Sequence, residues 1–391
     1  MKTHCYLISF LFLFLLHGCS NGKKDYPTSS EEFLSFDVNT MDDKVHELKL
    51  TDLMESVEII PMDSDTLEAF IKKYKIAVSK NFFAIHHVHY PVKLYSRKSG
   101  KFLGNIGKVG EGPGEYFLIW NVEIDEKHNR IYLVNSFRNH IYAYDLKGNF
   151  HEDETIRLPE GELLERAKVY FDKDKNQVVI FQTPYGVYQR GKTYIPDIKY
   201  LCRVQDFSGK LSQSISSSGF LVPRNDSEVW VLRMEEESPI YSLSINPYYD
   251  CRKDTIYHYN IETNQIYPVY TSNMHAEKLV TVCSKETPLH FYTCQQTYRE
   301  GTNINPENII GYKLFQVDKK TGKGRYIQVV NDYLGGIKFD VDYWFWFIRD
   351  DYVAYYWEPL ALREELEEAL SANREMSAEV RERILKLKDL L

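Results

Sequence analysis

The chain reads as short apolar runs cut by Asp, Asn, Gly and Lys, with no long helical period before Glu358. Tyr (30) and Phe (21) are abundant, and aromatic residues fit the pleated, half-buried surface of a strand. Together these features predict an all-β domain of many short strands. One strand–turn–strand unit recurs at 93–103, 143–150, 203–211, 257–266 and 314–323. Its turn carries Gly100, Gly148, Gly209, Asn264 and Gly322 in the five copies. Gly or Asn is needed there because a tight hairpin turn forces a positive φ. One such hairpin per roughly 40–50 residues is the spacing of a four-stranded propeller blade, here stretched by loops.

Five copies predict five blades. A sixth set of runs follows at 337–341, 343–348 and 352–357, without an outer hairpin partner. The apolar run at 57–60 precedes the first blade and can supply that strand, which caps an exposed edge. The expected fold is therefore a six-bladed β-propeller over 51–358, closed by an N-terminal strand. From Pro359 the period changes. Leu362, Leu366 and Leu370 fall on one helix face, and Pro359 suits a first helical turn. Ser377 reads as a second N-cap before Val380, Ile384 and Leu387, so 359–391 is expected to be a helical tail.

The first residues carry an address. One charge, Lys2, precedes a run at 7–16 that is apolar except for Ser9. That is the pattern of a secretory signal, and it is too short to span a bilayer, which needs about 20 residues. Leu16-His17-Gly18-Cys19 resembles the bacterial lipobox, with His17 replacing the usual small residue. The resemblance implies a signal peptide over 1–18 and lipid attachment at Cys19, with several acyl chains giving stable anchoring. Residues 19–50 then comprise the lipidated cysteine and a tether, polar over 20–32. No acidic run opens it; in the resembled lipoproteins such a run accompanies surface display. The expected address is the outer membrane, facing the periplasm.

The formal net charge is −8 with no basic block, which argues against nucleic acid as a partner. The membrane contact is then the lipid. Beyond Cys5 and Cys19, four cysteines remain: Cys202, Cys251, Cys283 and Cys294. They permit two disulfides in three connectivities, or buried thiols, and no CxxC pair points to zinc or redox chemistry.

The unit at 122–145 resembles an NHL repeat, with its Asp turn, its Ile131-Tyr132-Leu133-Val134 strand and its Asp145 hairpin. The stretch 102–116, containing Gly110-Glu111-Gly112-Pro113-Gly114-Glu115-Tyr116, resembles a signature of six-bladed β-propeller lipoproteins of Bacteroidota. The likeness spans nearly the whole chain, is strongest to about residue 150, and supports the propeller reading.

Candidate chemistry is sparse. Gly112, Pro113, Gly114 and Glu115 lack the Gly-Lys-Ser/Thr ending of a phosphate loop and read as a turn between blades. His87 and His89 share a strand face but lack a third ligand, so metal is not expected. Trp344 and Trp346, and Tyr185, Tyr188 and Tyr194 in a long insertion, are weak candidates for ligand contact. No Ser-His-Asp order, nucleophile elbow or His-Glu-x-x-His motif occurs. The reading is a non-catalytic binding or scaffold module for a protein or glycan, without a cofactor. The rival is a lactonase- or lyase-like propeller enzyme with its site at the central channel, and fold alone cannot choose.

Overall fold

The computed structural model describes a strand at Ser9–Leu15 and most of 33–391. Residues 43, 64–74, 88–89, 137, 161, 165, 190–191, 195–197, 224–226, 234–237, 248–254, 273–279, 300–307, 338–351 and 373–375 lie outside the description.

Five antiparallel sheets follow one another along the chain as propeller blades. Blade I comprises Lys75–Val78, Phe82–His86, Val92–Ser96 and Phe102–Ile106. Blade II comprises Ile119–Asp125, Arg130–Asn135, His140–Tyr144 and Ile156–Arg157. Blade III comprises Lys168–Asp172, Gln177–Phe181, Tyr200–Gln205 and Leu211–Ser216. Blade IV comprises Ser227–Arg233, Ile240–Pro247, Ile256–Asn260 and Gln265–Thr271. Blade V comprises Val280–Glu286, His290–Tyr298, Ile309–Asp318 and Gly324–Val330. The five turn residues read from the sequence join the third and fourth strands of these blades. All five have positive φ: 67°, 87°, 91° and 66° for the glycines in order and 52° for Asn264.

Apolar faces of neighbouring blades share cores. Tyr132, Ile141 and Ala143 of blade II meet Val169, Val178 and Ile180 of blade III. Phe181, Leu201 and Val204 of blade III meet Leu243 and Tyr259 of blade IV. Ile256, Val269 and Tyr270 of blade IV meet Phe291, Phe315 and Val317 of blade V. Stacked rings at two seams, Tyr132 on Phe171 and Tyr270 on Phe291, have centroids 4.2 and 4.3 Å apart.

The N-terminal part of the domain is a strap around the outside. Leu34–Ser35 adds a parallel fifth strand to blade IV, beside Gln265–Thr271. Val45–Lys49 does the same for blade V, beside Gly324–Val330. Ser56–Met62 then enters a three-stranded sheet, in the order Tyr352–Trp357, Ser9–Leu15, Ser56–Met62. Val353, Tyr355 and Trp357 pack toward blade V, while Tyr352, Ala354, Ile60 and Met62 pack toward blade I.

Two expectations are corrected. The described residues form five blades rather than six, and the inner strands expected within 338–350 lie outside the description. The run at 57–60 does reach the sheet of Tyr352–Trp357, but Ser9–Leu15 lies between them, pairing antiparallel with both. An apolar run of strand-forming residues satisfies an open edge wherever it comes from, so the pairing partner was not readable from the pattern.

The tail forms two helices, α1 (Pro359–Ser371) and α2 (Ala378–Leu390). Pro359 begins α1, and the Ser377 hydroxyl accepts from Val380 N at 3.2 Å to cap α2. Leu362, Leu366, Ile384 and Leu387 bury against blade V and the three-stranded sheet. Among the described residues no helix is long and apolar enough to cross a membrane.

Candidate functional site

The first strands of blades I to IV approach one another in turn, so they line the centre of the ring. In an antiparallel blade the start of the first strand, the link from second to third strand and the link to the next blade share one end. That end is the upper mouth. It collects the starts of the inner strands, the insertion after Phe181 and the Gly-rich link at 107–118.

Trp120 is the focus of this mouth. The ladder between Ile119–Asp125 and Arg130–Asn135 slips between Ile119 and Asn121, which makes Trp120 an extra residue in a β-bulge. A bulge re-aims a side chain that regular pairing would hold in line. Two cations converge on the indole. Lys75 Nζ, from the start of blade I, is 3.4 Å from the ring centroid. The Arg166 guanidinium, just before blade III, is 5.3 Å away. Lys168 follows at the first position of blade III, with Nζ 2.9 Å from Glu123 Oε1 and 4.7 Å from the Tyr170 ring.

The backbone under Arg166 is unusual. Its φ is +45°, whereas the other described non-glycine residues at positive φ are Asn129, Asn176 and Asn264, all in turns. Asn tolerates this region through local hydrogen bonds; Arg has no such compensation. The conformation is held by a hydrogen bond from Arg166 N to Ser136 Oγ (3.2 Å), and by Arg138 bridging Leu164. Two backbone irregularities thus meet at one aromatic flanked by cations. This arrangement can hold an anionic group such as a carboxylate, phosphate or sulfate.

At the opposite end, charges join blades. Glu286 ends the inner strand of blade V and is buried; its carboxylate meets His258 Nε2 (2.7 Å), Ser242 Oγ and Lys319 Nζ. Burial alone raises its pKa, but Lys319 and His258 overcome this and hold the carboxyl well below the usual range. Glu154 is pulled down to about 2, chiefly by its hydrogen bond from Arg130, against burial and with help from Lys173 of blade III. The Asn81 backbone N–H (2.6 Å) and side chain (2.7 Å) both donate to Glu126, tying blade I to blade II. Glu286 is enclosed between blades, whereas Glu154 and Glu126 are half-buried, and their partners account for all three structurally.

The residues singled out by sequence are scattered. Glu115 folds its carboxylate back onto Gly112 N at 2.9 Å, and its own N–H donates to Gly112 O. A Cβ on Gly110 would lie 2.1 Å from that carboxylate, so the glycines make room for this closure. Gly114 (φ +70°) presents its carbonyl to the Tyr144 hydroxyl and lies against Phe150, beside Pro113 in the turn. Tyr116 OH donates to Ile106 O (2.6 Å) and accepts from Val92 N (2.8 Å), which fastens this link to blade I. His87 stands edge-on to Tyr90 at 5.4 Å, and His89 lies outside the described residues. Among the described residues no three His, Cys, Asp or Glu come together to hold a metal ion. Tyr185 and Tyr188 fall on one strand and Tyr194 on the other of a hairpin, Tyr185–Gln189 with Lys192–Tyr194, inserted at the upper mouth. Cys19, Trp344 and Trp346 lie outside the described residues. Lys75, Trp120 and the pair Arg166 and Lys168 were missed: they come from blades I, II and III, about 45 residues apart in sequence. The available signal was an aromatic or basic residue at or next to the start of the inner strands of blades I, II and III.

The fold resembles solved structures. A predicted exported protein from Bacteroides fragilis matches with a TM-score of 0.54 at 15% identity, over 90% of this chain and 95% of that one. A DUF4221 family member from Bacteroides vulgatus matches with a TM-score of 0.44 at 8% identity, over 76% and 96%. A protein of unknown function from Bacteroides caccae matches with a TM-score of 0.38 at 14% identity, over 68% and 89%. Only the first is close enough to bear on architecture, and it supports the same fold. A search of curated proteins returned no match. The family model described as a domain of unknown function, DUF4934, matches residues 33–390, from the start of the strap to the end of α2, and this chain belongs to that family.

Proposed function

We propose that this protein is an envelope lipoprotein whose propeller is a non-catalytic binding module, with the upper mouth as its binding face. The ligand is a protein or glycan presenting an anionic group to Lys75, Arg166 and Lys168. The reading rests on one observation: a bulged Trp120 and an Arg166 held at positive φ meet between two blades. Strained backbone persists where surrounding structure over-determines it, and binding sites are where such strain collects. The hairpin carrying Tyr185, Tyr188 and Tyr194 rises at the same end and adds surface for a larger partner.

In this reading Cys19 carries the lipid, 20–32 is the tether, and the domain hangs from the outer membrane on its periplasmic side. The lipobox-like Leu16-His17-Gly18-Cys19 supports the anchor, and the Bacteroides fragilis neighbour, itself described as exported, agrees with that address. Ser9–Leu15 leaves with the signal peptide in this reading, so Ser56–Met62 and Tyr352–Trp357, which pack on blades I and V, are left to pair with each other and close the ring in the mature protein.

A panel of uronic-acid, sulfated and neutral oligosaccharides, with acidic and neutral peptides, tests the face. The unmodified protein is expected to retain an acidic member, and Lys75→Glu with Arg166→Glu to lose at least tenfold in affinity. Binding that the double variant leaves unchanged refutes the mouth as the site. For the anchor, radiolabelled palmitate should enter the native protein and not Cys19→Ser. Equal labelling of both, or of neither, overturns that part.

A further inference from the structure

Four cysteines remain in the domain, and the sequence leaves their pairing open. The structure separates them. Cys202 sits on the third strand of blade III, buried in the seam with blade IV, where its thiol is hydrogen-bonded to Tyr259. Cys251 lies outside the described residues. Cys283, on the inner strand of blade V, lies directly opposite Cys294 on the next strand, in an antiparallel pair. Directly opposite residues point to the same face of a sheet, and both are buried in the core shared with the tail helices.

The structure holds both as thiols, and their register sets what the pair can do. Opposite residues in antiparallel strands have Cα atoms about 4.5 or 5.5 Å apart, depending on the type of pair. Both spacings fall within the roughly 4.4–6.8 Å range that a disulfide spans. Cys202 belongs to a different core, so bridging it to either partner would require rearranging a blade.

We infer that Cys283 and Cys294 form a cross-strand disulfide in the exported protein. Formation is a thiol–disulfide exchange with a disulfide oxidoreductase of the envelope. One Cys thiolate attacks the donor disulfide and forms a mixed disulfide, and the other thiolate then displaces the donor. The new S–S bond replaces the donor's, the donor leaves as a dithiol, and the two cysteine protons are passed on to it through solvent. The exchange takes place on the open hairpin, because the closed core buries both sulfurs. The bond staples an inner strand of the ring to its neighbour and closes a short loop. The oxidising compartment rests on the export proposed above.

The test uses the unaltered full chain. Reduced, denatured protein is refolded in a glutathione redox buffer, quenched in acid, alkylated and digested with trypsin without reductant. Lys285 lies between the two cysteines, so trypsin separates their peptides and only a disulfide keeps them together. The expected product is a Cys283–Cys294 linked pair in most molecules. Full alkylation of both, or linkage of either to Cys202 or Cys251, overturns the assignment. The same digest on protein from its native envelope should show the same link. The link in buffer but alkylated thiols from the envelope refutes the bond in the exported protein and counts against export, while the strand geometry stands. Reductant should lower the melting midpoint of the native protein and leave that of Cys283→Ser/Cys294→Ser unmoved.

Discussion

The residue at 166 offers a direct test of the mouth, through a comparison of glycine with alanine. At an ordinary helical or extended position alanine is the more stable by about 0.4–1 kcal/mol, because glycine leaves the unfolded chain more freedom. At φ +45° the order should reverse. A side chain with a Cβ pays about 1–2 kcal/mol in the left-handed region, and glycine pays nothing. Both variants lose the guanidinium and its contact with Trp120, worth about 0.5–1 kcal/mol at a half-exposed site. The difference between them therefore isolates the backbone. Arg166→Gly should be the more stable of the two by about 1 kcal/mol and lie close to the native protein. For a chain of this length that is about 1 °C in midpoint, within reach of calorimetry. Both should lose the acidic ligand to a similar extent. If Arg166→Ala melts at or above Arg166→Gly, the backbone is not held in the left-handed region. Position 166 then sacrifices no stability for binding.

Other expectations are open to simpler measurements. Glu154 has its folded pKa pulled down to about 2, so its contribution is fully present above the ordinary carboxylate value and is lost as pH falls from about 5 towards 2. Denaturant titrations of Glu154→Gln should show a flatter acid limb than the native protein, with the difference at pH 7 being at most about 3 kcal/mol. Glu286→Ala leaves Lys319 and His258 facing an enclosed site without their anion, and should cost about 3–5 kcal/mol in urea unfolding. Gly100→Ala places a Cβ 1.8 Å from the Pro61 carbonyl oxygen at φ +67°. It should cost at least about 2 kcal/mol by the same assay, where a loss below 0.5 would contradict the close approach of Ser56–Met62 to blade I.

Local chemistry made much of the architecture legible. A turn that needs positive φ announces itself as Gly or Asn, and five such turns mark the five blades. The capping Ser377 and the leucines of α1 and α2 were equally plain, because a helix writes its period into neighbouring residues. What the sequence hid is whatever depends on long-range pairing. Nothing in Val45–Lys49 says that it runs parallel to a strand some 280 residues later. The bulge at Trp120 is a mismatch between two strands, visible only when both are in place. Arg166 looks like any loop arginine until its backbone is seen. The candidate histidines and tyrosines stood out by density in sequence, whereas the mouth is assembled from residues of three successive blades.

The outer strap has a consequence for solubility. By lying along Gln265–Thr271 and Gly324–Val330, the first segments of the domain occupy the hydrogen-bonding rims of two sheets. Proteolytic loss of these segments in the envelope would bare both rims, and a bare rim recruits the nearest extended chain. The clipped molecules would then be expected to stack on one another, so that cutting between strap and blades converts a monodisperse domain into aggregates even with every blade intact.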